Sequence, residues 1–417
     1  MKKILIICPW YFPLFHPRPF RWTNIAEALA SDGHEVHILC TKLGERKQEE
    51  VINNVLVHRV GFESLKEIFY AFFKVKNQRG RVNLNSDLPS KSNFLFSCAI
   101  KIYTFFKKIF FPDESIIWYW SAKNKAKELM ETHHFSDVIS VSMPFTSHLV
   151  ARFLKKKSPN INWIIDIGDP LYNKKHKAWH ALYKPFLKRL ERNILQKADK
   201  ISVTNHNLID YYEAHMGVNA TKMSVILPLT MFKKQVFLRP NRTPVLAYFG
   251  AFYTPERTPE ILIDFLAILK NNNIKVEVKI YGDILPEFVA LFAAFKNVEL
   301  KGLVSRKDTE KEMSEADILI NIGNTTAWQL PSKIADYIVL QKPILHFLQV
   351  ENDPCLAFFS ENDFILKKNS LKNADFISDF EVFLKKLEIE KNISSNEKSA
   401  HFTLPYIMKQ YRLLLSE

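Results

Sequence analysis

The run Gln329-Leu-Pro-Ser-Lys-Ile-Ala-Asp-Tyr337 follows an apolar strand, Ile318-Leu-Ile-Asn-Ile322, and a polar loop, Gly323-Asn-Thr-Thr326. Pro331 and Ser332 read as the first helical position and its cap region, so the N–H groups of the opening turn point outward beside the Lys333 ammonium. Dipole and charge together would hold a nucleoside diphosphate there. Asp336 lies three residues after Lys333, on the same helix face, where a carboxylate can accept both hydroxyls of a ribose. The competing reading is an ordinary capped helix at the surface.

Earlier in this half, Val245-Leu-Ala-Tyr-Phe249 is a continuous apolar run that opens a sheet, and Gly250 ends it where backbone can approach a ligand. A loop reaching Arg257 precedes the helix Pro259 to Lys270. Val276 to Gly282, Val298 to Gly302 and Ala316 to Ile320 read as further strands, with Lys342-Pro-Ile-Leu345 after the Asp336 helix. Polar residues between Phe232 and Pro244 break the apolar periodicity and separate two domains, 1–232 and 244–400, with 401–417 as a closing helix.

The amino-terminal half alternates in the same way. Ile4 to Ile7 reads as a strand buried on both faces, and a loop from Pro9 to Arg21 leads into the helix Trp22 to Ser31. Ligands of such a sheet bind outside the strands' carboxyl ends, which makes His16, Arg18 and Arg21 candidates to meet a phosphate or an acceptor; a Pro-stiffened structural loop is the alternative. After Val138-Ile-Ser-Val141, the turn Ser142 to His148 enters a helix, and His148 reads as either structural or a cleft residue. Trp163-Ile-Ile-Asp-Ile167 leads into Gly168-Asp-Pro-Leu171. Asp169 there is placed to contact an acceptor hydroxyl or to close an Asx-turn, whereas Asp166 lies inside the strand.

Composition narrows the class. At 417 residues with 47% hydrophobic residues and 33 Phe, the chain can fill two cores. The net charge of +14 favours an anionic partner, and no nucleic-acid reader motif accompanies it. Lysines interleave with Phe and Tyr between residues 62 and 112, the composition of a segment lying on an anionic membrane surface or of a Phe-striped packed helix. Cys8, Cys40, Cys98 and Cys355 have no zinc-like spacing and read as core residues in a reducing compartment. No signal-peptide pattern precedes the first strand, so the expected location is cytoplasmic, with peripheral attachment to the inner face of the membrane.

With these residues in view, the sequence resembles the retaining GT-B glycosyltransferases of the family-four type, which build bacterial surface polysaccharides. The resemblance rests on Pro331-Ser-Lys-Ile-x-Asp-Tyr337, a variant of the family's Glu-x7-Glu motif, on the Ser147-His148 turn, on Gly168-Asp-Pro170, and on the order of the later strands. It implies an α/β fold of two Rossmann-like domains facing across an interdomain cleft. It also implies Lys333 and Arg257 at the donor diphosphate, Asp336 on the ribose, Gly250 beside the ligand, and His148 at the cleft mouth. Asp336 replaces the second Glu of the motif and Trp328 the first, which leaves Asn324, Thr325 or Thr326 to stand in on the donor sugar. The implied activity is metal-independent transfer, with retention, from a UDP- or GDP-linked sugar to a glycan or polyprenyl-phosphate-linked acceptor. Asp169, His148, Arg257 and Lys333 would carry the catalysis. No cofactor and no metal ligand are expected. A sugar-nucleotide epimerase and a noncatalytic membrane-associated subunit are the alternatives from other classes.

Overall fold

The computed structural model describes residues 1–14, 16–44, 46–65, 67–68, 110–172, 183–234, 243–252, 257–367, 371, 375–389 and 397–416. The chain divides into two compact units, Met1–Ile226 with Ile407–Glu417, and Leu227–Tyr406. Residues 227–232, read from sequence as the end of the first domain, group with the second unit, and the final helix is divided between the two.

The first sheet contains β1 (Lys3–Ile7), β2 (Glu35–Thr41), β3 (Glu49–Ile52), β4 (Val55–Val60), β5 (Asp137–Val141), β6 (Asn162–Ile167), β7 (Lys200–Val203) and β8 (Met223–Val225). Their order is β3-β4-β2-β1-β5-β6-β7-β8, parallel except for the antiparallel β3–β4 hairpin. Parallel strands covered on both faces need apolar residues throughout, and Ile4, Leu5, Ile6 and Ile7 are all fully buried. The hairpin turns at Asn53 and Asn54, with φ of 48° and 65°, the left-handed pair that Asn tolerates in a two-residue turn. The helices here are α1 (Pro17–Ser31), α2 (Tyr119–His133), α3 (Thr146–Lys157), α4 (Lys184–Lys197) and α5 (His206–Met216). Asn205 caps α5 by accepting from the Leu208 N–H, and Gly217, at φ 60°, stops it.

The second sheet contains β9 (Val245–Phe249), β10 (Glu277–Tyr281), β11 (Val298–Gly302), β12 (Ile318–Ile322), β13 (Ile344–Leu348) and β14 (Phe364–Lys367), ordered β11-β10-β9-β12-β13-β14 and parallel throughout. Its helices are α6 (Glu260–Asn271), α7 (Pro286–Phe292), α8 (Arg306–Glu315), α9 (Lys333–Leu340) and α10 (Asp375–Ile389). Phe265, Phe292 and Phe380 pack onto Leu246, Ile280, Ile320 and Leu345, each buried large side chain contributing about 1.5–3 kcal/mol. Strand order reverses direction beside β1 in one sheet and beside β9 in the other. Each reversal opens a crevice at the strands' carboxyl ends.

α11 (Leu404–Leu414) closes the chain, and its carboxyl half is anchored in the first unit. Tyr411 donates to Asp166 Oδ1 at 2.9 Å, Trp22 donates to Asp166 Oδ2 at 3.0 Å, and the Ser416 N–H donates to Asp137 Oδ1 at 2.7 Å. No helix among the described residues is long and apolar enough to cross a membrane. Most of the basic-aromatic stretch near 62–112 lies outside the described residues.

Candidate functional site

In the second unit, the crevice between the ends of β9 and β12 is bridged by side chains. Arg257, beyond β9, donates from Nη2 to Asn324 Oδ1, beyond β12, at 2.9 Å. Asn324 is 2% exposed and donates in turn to the Gln329 carbonyl at 3.1 Å, so its amide is fixed with the oxygen toward Arg257. Gly250 lies under this pair, because a Cβ there would stand 3.6 Å from Arg257 Nη1. Gly282, at φ +137°, ends β10 so close to this loop that a Cβ would reach 2.1 Å from the Gly250 carbonyl oxygen. Only glycine meets both conditions.

α9 is pinned over the same edge. The Phe249 N–H donates to Tyr337 Oη at 3.3 Å, and that hydroxyl donates to the Ile320 carbonyl at 3.2 Å, so Tyr337 joins β9 to β12. Lys333 stands one turn before Tyr337 toward the carboxyl ends of the strands. Its side chain is 31% exposed; burial pulls its pKa down, Asp336 opposes that, and Arg306 adds to the lowering. Thr325 is half-buried, and Thr326 is buried with its hydroxyl 3.5 Å from Gln329 Oε1. Trp328, in the place of the motif's first Glu, is half-buried.

Two expectations for this helix change. The helix begins at Lys333, and the Ile334 and Ala335 N–H groups turn inward to the Pro331 and Ser332 carbonyls at 3.1 and 3.3 Å instead of pointing outward. Ser332 makes no side-chain cap bond. Asp336 is 2% exposed and already engaged: Oδ1 accepts from Thr230 at 2.6 Å and from Arg306 Nη2 at 2.7 Å, and Oδ2 accepts from Arg306 Nη1 at 2.9 Å. A carboxylate so occupied leaves no room for two ribose hydroxyls, and the direct ribose role gives way to holding Arg306. Arg306 also lies 4.0 Å over the Phe232 ring. Sequence reading missed this residue, whose only local signal was the cap at Ser305, which accepts from the Asp308 N–H.

In the first unit, Arg18 of α1 reaches past the end of β5 to Asp169 beyond β6, with Nη2 3.1 Å from Oδ2 and both side chains partly exposed. This pair stands at the first sheet's crevice. Other candidates here are placed differently. His148 is fully buried, Nε2 lying 2.6 Å from Ser142 Oγ and Nδ1 2.8 Å from Ser140 Oγ, and burial, with Arg18 adding, pushes its pKa down to about 3. It is a structural imidazole and not a residue at the mouth of the crevice. Arg21 is buried too, donating to the Ile226 carbonyl and to Tyr411, each at 3.2 Å. His16 is exposed and meets the Trp10 ring edge-on at 5.4 Å. Glu191, unremarked in sequence, is buried in α4 and accepts the Leu171 and Tyr172 N–H groups at 2.8 and 2.7 Å. It thereby fixes the loop that carries Asp169.

The same unit presents a basic and aromatic surface on α2, α3 and α4. Lys123 lies 4.8 Å from both the Trp120 and the Phe153 rings, and Trp120 and Phe186 are each 64% exposed. Phe111, Arg152, Tyr183, Phe186 and Arg189 line an open cavity of about 550 Å³.

No protein-family model matches the chain, and no curated protein matches it in sequence. Solved structures match it along nearly its whole length. Sucrose-phosphate synthase from Thermosynechococcus elongatus is 12% identical, with 99% of this chain and 98% of that chain covered and a TM-score of 0.64. HepE of Anabaena, solved with UDP and glucose, is 13% identical, with 99% of each chain covered and a TM-score of 0.62. A glycosyltransferase from Rickettsia africae is 13% identical, with 99% and 97% covered and a TM-score of 0.61. The chain therefore has the GT-B fold, with two Rossmann-like α/β units.

Proposed function

We propose that this chain is a glycosyltransferase that moves a sugar from a nucleoside-diphosphate sugar to a glycan or polyprenyl-phosphate-linked acceptor, with retention of anomeric configuration. The observation that carries this is the Arg257–Asn324 bridge across the β9/β12 crevice, with Lys333 held above the same edge by Tyr337. As the glycosidic C–O bond breaks, negative charge collects on the β-phosphate. Arg257 and Lys333 are the fixed cations that meet it, without a metal ion. The acceptor oxygen bonds to the anomeric carbon from the face the phosphate leaves, and the departing phosphate oxygen takes the acceptor's proton. Arg18 and Asp169 orient the acceptor hydroxyl. Asn324, Thr325 and Thr326 contact the donor sugar in place of a motif Glu. HepE binding UDP and glucose supports a UDP-linked donor.

The exposed Trp120 and Phe186 with Lys123, Arg152 and Arg189 support an acceptor carried on an anionic membrane surface, because buried aromatic area and positive charge add there. The deciding experiment incubates the protein with UDP-glucose or UDP-N-acetylglucosamine, with and without a polyprenyl-phosphate-linked saccharide. Acceptor-dependent UDP release and a product with the donor's anomeric configuration by proton NMR are expected. An epimerised donor without acceptor would establish the epimerase instead.

A further inference from the structure

The amino-terminal edge of the first sheet, opposite the edge that carries Arg18 and Asp169, holds a cluster with no part in the proposed transfer. Glu35 is the first residue of β2, and His37 lies two positions on, along the same face of the strand. His133 is the last residue of α2. Glu35 Oε1 stands 3.0 Å from His37 Nε2 and 3.0 Å from His133 Nδ1, and the three atoms lie within 4.8 Å of one another. Lys3 meets the other carboxylate oxygen, Oε2, at 3.4 Å from a side chain 42% exposed.

Behind His37 runs a second line of contacts. Its Nδ1 faces His58 Nε2 at 3.0 Å, and His58 Nδ1 faces Glu49 Oε1 at 3.4 Å. Glu35–His37, His37–His58 and His58–Glu49 are thus three contacts in series, with a carboxylate at each end. Two neutral imidazoles bring two N–H groups, and carboxylates bring none. One of the three contacts therefore has no proton. If each imidazole donates from Nδ1, the His37–His58 and His58–Glu49 contacts are satisfied. The His37 Nε2 lone pair is then left facing Glu35 Oε1, acceptor against acceptor, with His133 Nδ1 alongside. A cation completes that arrangement.

We propose that Glu35, His37 and His133 bind one divalent transition-metal ion of the zinc type, with His58 and Glu49 orienting His37. Two imidazoles and a carboxylate are a borderline-soft ligand set that suits zinc. Ligands 2.0–2.2 Å from a tetrahedral ion stand about 3.3 Å apart, close to the two 3.0 Å spacings that Glu35 makes, while the two imidazole nitrogens lie within 4.8 Å of each other. The chain His37–His58–Glu49 supplies the outer hydrogen bond that fixes a ligand's tautomer. His133 and Glu35 are partly exposed, which leaves a fourth position for water, while Phe135 packs edge-on against His37 at 5.0 Å. The ion ties the start of β2 to the end of α2, a structural staple at the sheet edge far from the Asp169 end. Residues 35, 37 and 133 show no metal-binding spacing in the sequence, and on this proposal the expectation of no metal ligand does not hold.

The test is calorimetric titration of chelator-treated full-length protein with zinc chloride, in wild type, His133→Ala and Glu35→Gln. One ion per chain at micromolar or tighter dissociation constant is expected, weakened at least about tenfold in each variant. No 1:1 binding in wild type, or equal affinity in all three proteins, overturns the site. Cobalt(II) on wild type decides independently of how the variants fold: intense visible bands of a four-coordinate ion support the site, and only the weak bands of a six-coordinate ion overturn it.

Discussion

Asp336 shows how a residue can sit in a binding motif and still face inward. Its oxygens are filled by Arg306 and Thr230. Asp336→Asn replaces one acceptor with a donor facing the guanidinium and disrupts a bidentate pair. With Arg306 partly exposed, the expected cost is about 1–3 kcal/mol of stability in the nucleotide-free protein, read by denaturant unfolding. A variant as stable as wild type that nevertheless loses nucleotide affinity would restore the ribose role. Glu191 carries a second prediction. Burial raises its pKa to about 7, with its two backbone donors and Tyr212 opposing that rise. The folded protein then keeps a proton that the unfolded chain releases near its ordinary value, about 4.5. Folded molecules bind more protons between those values, so this carboxyl's contribution to stability falls as pH rises from about 4.5 to 7, by about 3 kcal/mol at most. Glu191→Gln lacks that slope. Unfolding free energies at pH 5 and pH 8 should show the variant gaining on wild type at the higher pH; a pH-independent difference contradicts the assignment.

At the level of elements, strands buried on both faces were the most legible part of the sequence. Val245–Phe249 is a continuous apolar run and Ile318–Ile322 is one broken by Asn321 alone, and they form β9 and β12 with the same bounds. The β3–β4 hairpin was not read, because Glu49–Ile52 is a short strand without full burial and its turn is Asn-Asn in place of a glycine pair. The start of α9 was misread because Pro331 precedes the helix instead of opening it. Candidate residues that are near one another in sequence stay near one another in the structure. Lys333 and Asp336 are three residues apart, and Arg257 follows the glycine that ends β9. Pairings set by tertiary packing were not legible. Arg306 lies 30 positions from Asp336, Arg18 lies 151 from Asp169, and nothing in either neighbourhood names the partner. His148 failed for the opposite reason: the local motif was present, but both ring nitrogens are consumed by serines inside the core.

Over the whole molecule, two α/β units repeat one plan, an open sheet whose order reverses beside its central strand and whose polar residues gather at the carboxyl ends there. In the second unit those residues are two cations and an amide. In the first they are a balanced Arg–Asp pair, in a unit that also bears a basic-aromatic surface. On the proposed function the anionic donor belongs to the second unit and the acceptor to the first, and the net charge of +14 suits substrates that carry phosphate on both sides. The central claim is that the β9/β12 crevice binds a nucleoside diphosphate. Calorimetric titration with UDP and with GDP, on wild type, Arg257→Ala, Lys333→Ala and Asp169→Ala, tests it most directly. One site per chain is predicted for one of the two nucleotides. Affinity should fall about tenfold or more in each of the Arg257 and Lys333 variants, since a charge-assisted contact contributes about 1.5–3 kcal/mol, and should hold within about twofold in Asp169→Ala. Binding of neither nucleotide, or wild-type affinity in both cation variants, would contradict the account.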